Sequence, residues 1–271
     1  MEHKIYQQEN MRTAESQDAA DGTAIVFSRR SPEKTTPNED SVLILSCNKK
    51  TAVLAIADGM GGLPGGAQAS SEALKKLNKR VAQTCNENSD LREAILNGVE
   101  LANQSILDFS TGSATTLVVA EINGDYVRPY HVGDSVLLIV GQRGKIKLQT
   151  VAHSPVGYAV EAGVIDEDEA MFHHERHLVS NYLGTQNMRI EIGSPTELAP
   201  RDTLLLASDG LFDNLTLPEI TEIIRKGPLS DAANNLISTC EYRMINQLEN
   251  LPSKPDDLSF ILYRHGNKAQ Y

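Results

Sequence analysis

Four short acidic stretches constrain this chain more than any other feature: Asn38-Glu39-Asp40, Asp58-Gly59-Met60-Gly61-Gly62, Ser208-Asp209-Gly210 and Asp256-Asp257. Each adjoins an apolar, strand-like run. Carboxylates fixed at strand ends can meet in space although they lie far apart along the chain. Once together they repel one another unless a cation neutralises them. The pattern therefore predicts a scaffold for hard metal ions, and with it a hydrolase.

Composition narrows the setting. A chain of 271 residues makes one large or two small domains, and its 40% hydrophobic content supplies a sizeable core. No apolar stretch approaches the roughly 20 residues of a membrane helix. Residues 1–22 are polar, lack the apolar region of a signal peptide, and read as a loosely attached leader before a single domain over 23–271. These features predict a cytoplasmic protein. The net charge of −11 disfavours nucleic acid and anionic membranes as partners. Cys47, Cys85 and Cys240 form neither a zinc pattern nor a disulfide framework, and Cys47 and Cys240 read as small buried apolar residues. Arg29, Arg30 and Lys34 cluster just before Asn38, either as a solvated loop or as a receiving site for an anion.

Strand-like runs cover Ala24–Ser28, Val42–Ser46 and Ala52–Ala57. The third stops at a loop with five glycines and a proline in the nine residues 58–66. A helix is expected over about 67–84. A second begins near Asp90, with Ser89 as N-cap and an apolar stripe of Leu91, Ile95, Val99, Ala102, Ile106 and Phe109. Strands return at 114–122, 126–132, 136–140 and 146–150, with Asn123-Gly124 as a hairpin signal. Residues 152–186 are polar and aperiodic, which suggests a functional flap. Strands at 189–192, 203–207 and 258–264 and helices at 218–226 and 230–249 complete an α+β sandwich, sheets inside and helix pairs outside.

Asp58 and Asp209 each follow an apolar run and precede glycine, so the strand fixes the carboxylate while the next peptide can turn its carbonyl inward. Glu39, Asp40 and Asp256 would add oxygens. An all-oxygen set suits Mg²⁺ or Mn²⁺ rather than zinc, and two such ions could activate a water for in-line attack on phosphorus. A lone Asp-Gly is more simply a turn; four consistent sites are harder to read that way. The glycine loop is neither a nucleotide P-loop nor a dinucleotide fingerprint. His173 and His177 could share a helical face, but the spacing misses the His-Glu-x-x-His pattern. No Gly-x-Ser-x-Gly elbow is present.

From about Ala24 to Arg264 the chain resembles the metal-dependent serine/threonine protein phosphatases of type 2C in their compact bacterial form. The likeness runs, in order, through Asn38-Glu39-Asp40-Ser41, Ala57-Asp58-Gly59-Met60-Gly61-Gly62, Gly112-Ser113-Ala114-Thr115-Thr116, His131-Val132-Gly133-Asp134-Ser135, Leu183-Gly184, Ala207-Ser208-Asp209-Gly210-Leu211-Phe212-Asp213 and Asp256-Asp257-Leu258-Ser259. It implies a four-layer α-β-β-α sandwich with two central, mostly antiparallel sheets. It also implies two tightly held ions of Mn²⁺ or Mg²⁺: Asp58 bridging both, Glu39 and the Gly59 carbonyl completing one, Asp209 and Asp256 holding the other. Asp134, with Asp209, resembles a weaker third site; Asp40 would orient water, and Asp257 would not be a metal ligand. The implied reaction is hydrolysis of phosphoserine and phosphothreonine by direct attack of a metal-bridging hydroxide, with phosphorylated proteins as substrates and a serine/threonine kinase as opponent.

The chain departs from that family at the phosphate. Thr35, Val136 and Asn181 stand where arginines are common, so Arg29, Arg30, Lys34 or Arg176 would have to substitute. A pseudophosphatase that binds phosphorylated partners without turnover, and a phosphatase of small metabolites, are the alternative readings.

Overall fold

The computed structural model describes residues 1–60, 65–87 and 90–266. Gly61 to Pro64 and the expected cap Ser89 lie outside them. In chain order the elements are β1 (Glu2–Gln7), β2 (Glu15–Ala19), β3 (Gly22–Arg29), β4 (Ser41–Asn48), β5 (Thr51–Ala57), α1 (Gly66–Glu87), α2 (Leu91–Asp108), β6 (Leu117–Asn123), β7 (Tyr126–Val132), β8 (Val136–Val140) and β9 (Ile146–Gln149). There follow α3 (Pro155–Glu161), α4 (Glu167–Met171), β10 (Glu191–Ile192), β11 (Thr196–Glu197), β12 (Thr203–Ala207), α5 (Asp209–Phe212), α6 (Leu217–Ile224), α7 (Leu229–Ile245) and β13 (Leu258–His265).

One sheet has the order β1-β4-β5-β6-β7-β10, with β11 also on β7; the other has the order β2-β3-β13-β12-β8-β9. Every strand pairing among the described residues is antiparallel. The period of two in the central strands sorts their side chains between two cores. On β4, Leu43 and Leu45 face α1 and α2, while Val42 and Ile44 enter the core between the sheets. On β5, Val53, Ala55 and Ala57 take the helix side, and Ala52, Leu54 and Ile56 the sheet side. With both faces covered, these strands read as continuous apolar runs rather than alternating ones. Truncating a fully buried side chain here, such as Leu54 to Ala, costs roughly 2–5 kcal/mol. The helix pair α6 and α7 closes the other sheet, so the layers run helix, sheet, sheet, helix as expected.

Three expectations are corrected. Residues 1–22 are no loose leader: β1 pairs with β4 and β2 with β3. Edge strands need few apolar residues, and the burial of Tyr6 and Ala19 suffices to seat these two. Cys47 and Cys85 are joined as a disulfide with their Cα atoms 5.3 Å apart. The last turn of α1 lies over the end of β4, which closes a separation of 38 residues. Cys240 is buried and free, as expected. The N-cap of α2 is Asp90, whose carboxylate accepts the Arg92 N–H at 2.9 Å. No helix among the described residues is long and apolar enough to cross a membrane.

Candidate metal centre

Strand register brings the acidic stretches to one end of the sandwich. Ser41 opens β4 opposite Ala57, the last residue of β5, so Asp40 and Asp58 lie side by side. In the other sheet Ala207 ends β12 opposite Phe260 of β13 and Val136 of β8. Asp209 therefore leaves that sheet near Asp256 and Asp257, and near Asp134 in the turn between β7 and β8. Two glycines permit the close approach. A Cβ on Gly210 would lie 1.9 Å from the Asp257 carbonyl oxygen, and one on Gly59 2.4 Å from that of Gly66.

The backbone around these carboxylates is clamped. The Asp58 carbonyl accepts the Thr115 hydroxyl at 2.7 Å and the Thr116 N–H at 2.8 Å. The Thr116 hydroxyl in turn meets the Asp58 N–H at 3.3 Å and the Ser135 hydroxyl at 2.7 Å. Asp257 accepts the Ser31 N–H and the Glu39 N–H, both at 2.8 Å, and the Lys34 ammonium at 2.6 Å. Both its oxygens are thus occupied in holding the Glu39 loop.

Crowding of like charges in a largely buried site shows in the proton affinities. Burial, then the charge of Asp257, pushes Asp40 up to about 8. Burial, then Asp209 and Asp213, raises Asp134 to about 7. Burial, then Asp209, raises Asp256 to about 6. Asp58 stands well above the ordinary carboxylate range through burial and the charges of Asp40, Asp209 and Asp256. Asp209 is the exception: burial works to raise it, but the Lys254 ammonium together with hydrogen bonds from Asp58 and the Gly210 backbone offsets this and holds it low.

The donor set fits hard divalent cations. Asp40 is 1% exposed and one carboxylate oxygen takes the Ser208 hydroxyl at 2.9 Å, while the other has no hydrogen-bond partner among the described residues. An orphaned buried carboxylate oxygen is costly unless an ion or its hydration shell satisfies it. The centre opens on a cleft of about 640 Å³ lined by Ser31, Lys34, Glu39, Gly66 and Asp256.

The basic candidates separate. Lys34 lies at the cleft, 2.6 Å from Glu39 and from Asp257. Arg176 reaches from the flap to within 4.0 Å of Asp213, and both line a cavity of about 390 Å³ between flap and α6. Arg29 instead pairs with Glu241 on α7, and Arg30 is exposed. Asn181, at an expected arginine position, is buried and bonded to Arg189 and His153. The flap contains two short helices, α3 and α4, and its ends are joined by the Ser180 N–H to the His153 carbonyl at 2.8 Å.

His173 and His177 lie beyond the end of α4 and share no helical face. Among the described residues the ligand atoms of another group, His131, His153 and Glu191, come within 4.8 Å of one another. There the His153 Nδ1 accepts the Gly133 N–H at 3.0 Å and the Asn181 amide at 2.8 Å, leaving its proton on Nε2, 3.0 Å from Glu191. Sequence reasoning passed over Lys254 and gave Asp213 no role. The signal was a lysine two residues before Asp256 and an aspartate one helical turn after Asp209.

Two antiparallel sheets between helix pairs, with largely buried carboxylates converging at one end, define the class: a metal-dependent phosphatase. The model of the family described as Protein phosphatase 2C matches residues 29–248, and the chain belongs to that family. It is 29% identical to the protein phosphatase PhpP of Streptococcus pneumoniae over 214 residues, 76% of this chain and 86% of that one. The serine/threonine phosphatase of S. agalactiae superposes with a TM-score of 0.75 at 28% identity, covering 90% of this chain and 99% of that chain. The catalytic domain of the serine/threonine protein phosphatase PstP, solved with 2 manganese ions, shares the fold with a TM-score of 0.69 at 24% identity, covering 89% and 96%.

Proposed function

We propose that the chain hydrolyses phosphoserine and phosphothreonine in proteins, using two ions of Mn²⁺ or Mg²⁺ held by Glu39, Asp58, the Gly59 carbonyl, Asp209 and Asp256. The observation that carries this reading is the convergence of Asp40, Asp58, Asp134, Asp209 and Asp256 at one end of the sandwich, where burial and mutual repulsion raise the proton affinity of all but Asp209, which is held low beside Lys254. When bound, the cations would lower the pKa of a water between them and neutralise charge on the phosphoryl group, so that phosphorus is attacked directly. The chain's own residues supply the frame. Thr115 and Thr116 fix Asp58, Asp257 fixes Glu39, and the free oxygen of Asp40 orients the attacking water.

Lys34 and Arg176 are the cations placed to receive phosphate, Lys34 at the cleft and Arg176 at the flap. They replace the arginines missing at Thr35, Val136 and Asn181. We place the protein in the cytoplasm, opposing a serine/threonine kinase; in that reducing setting Cys47 and Cys85 would stand as thiols.

The absence of arginine at those three positions favours a second reading, a phospho-partner binder without turnover. Phosphate release from a phosphothreonine peptide and from sugar phosphates, each with Mn²⁺, separates the possibilities. Release from the peptide at much the higher kcat/KM supports the proposal. Preference for sugar phosphates points to a metabolite phosphatase, and binding without release to a pseudophosphatase.

A further inference from the structure

Lys254 is tied into the acidic centre more completely than any surface lysine would be. Its Nζ lies 2.9 Å from Asp209 Oδ2, 2.7 Å from Asp213 Oδ2 and 3.0 Å from Asp256 Oδ2. The ammonium donates to Asp209 and Asp213, and Asp256 pairs with the same charge. The backbone beneath it is equally fixed. The Lys254 N–H donates to Asn214 Oδ1 at 2.8 Å, and the Asn214 amide donates to the Lys254 carbonyl at 2.7 Å and to the Gly210 carbonyl at 2.9 Å. Asn214 is fully buried. One side chain thus joins the Lys254 loop to the loop that presents Asp209.

The acidic partners are arranged by α5. Asp213 follows Asp209 by one turn, its N–H bonded to the Asp209 carbonyl at 2.7 Å, so both carboxylates face the ammonium. Asp134 also feels Asp209 and Asp213, and Lys254 in the opposite sense. Without Lys254, three carboxylates of this corner would face one another with only Arg176, 4.0 Å from Asp213, as counter-charge among the described residues.

We infer that the Lys254 ammonium is a resident cation of the centre: it fills the corner between Asp209 and Asp213, so that the corner takes no divalent ion of its own and the chain loads two such ions rather than three. The inference rests on the reading that the centre binds divalent metal. It turns the expected ligand Asp134 into a neighbour of a built-in positive charge. An ammonium cannot dissociate as an ion can, so the corner keeps this counter-charge at any metal concentration.

The test is the number of Mn²⁺ ions bound per chain, read from the electron paramagnetic resonance signal of free Mn²⁺ during titration of the full-length protein. The wild type and Lys254→Arg are expected to bind two. Lys254→Met is expected to gain a third site, which Asp213→Asn removes again in the double variant. Three ions on the wild type, or an unchanged count in a folded Lys254→Met, would overturn the inference while leaving the phosphatase reading intact. A wild type that binds no Mn²⁺ would overturn both. The wild-type count decides even if Lys254→Met does not fold.

Discussion

Asp257 accepts the backbone N–H of Glu39 at 2.8 Å across 218 residues of chain. It joins the sheet that carries Asp209 to the loop that presents Glu39, and its second oxygen holds the Ser31 N–H. Replacing it with Ala strands two backbone donors and leaves the Lys34 ammonium with Glu39 alone. Asp257→Ala should lose roughly 2–4 kcal/mol in urea denaturation with chelator present, and Asp257→Asn, which keeps one acceptor, less. Equal stability of Ala and wild type would remove Asp257 from this role.

Gly210 and Gly112 offer a matched pair. A Cβ on Gly210 meets the Asp257 carbonyl oxygen at 1.9 Å, whereas one on Gly112 meets nothing within 4 Å and suffers only from a φ of +74°. Gly210→Ala should cost about 3 kcal/mol and Gly112→Ala about 1 kcal/mol. Denaturation midpoints of the two variants check the order.

Most of the frame was legible because central strands and amphipathic helices write their period into the sequence. Val42 to Leu45 and Ala52 to Ala57 are apolar throughout since both faces are covered, and the α2 stripe from Ile95 to Ile106 is buried as expected. The edge strands β1 and β2 were not legible, because their polar residues face solvent and only Tyr6 and Ala19 report burial. The carboxylates could be named from their strand ends. What neutralises them could not: Lys254 meets Asp209 and Asp213, and Lys34 meets Asp257, through tertiary contacts that local pattern does not encode. The Cys47–Cys85 pairing escaped for the same reason.

The raised carboxylates fix a sign for pH. Asp256, Asp134 and Asp40 titrate at about 6, about 7 and about 8 in the folded chain, above their ordinary range of about 4. Between those limits the folded state holds more protons than the unfolded one, so stability falls as pH rises. With chelator present the melting temperature should be lower at pH 8 than at pH 6. Saturating Mn²⁺ should close that gap; a flat or rising profile in chelator would contradict the clustering of unneutralised carboxylates.

Lys34 and Arg176 should appear in substrate binding. A charge-assisted contact to phosphate contributes about 1.5–3 kcal/mol, so Lys34→Ala or Arg176→Ala should lower kcat/KM roughly 10- to 100-fold on a phosphothreonine peptide. Arg29→Ala, whose side chain pairs with Glu241, should leave that ratio near wild type. Steady-state kinetics on the three variants would show whether the phosphate is gripped at the cleft.

The most direct measurement is phosphate release from a phosphothreonine peptide by the wild type and by Asp58→Asn, each with Mn²⁺ and then with excess chelator. The wild type should release phosphate only with metal, and Asp58→Asn should fall by about a thousandfold, the several kcal/mol that a properly held cation supplies. Release that survives the chelator, or an Asp58→Asn variant as active as the wild type, would show that the carboxylate centre is not where phosphorus is attacked.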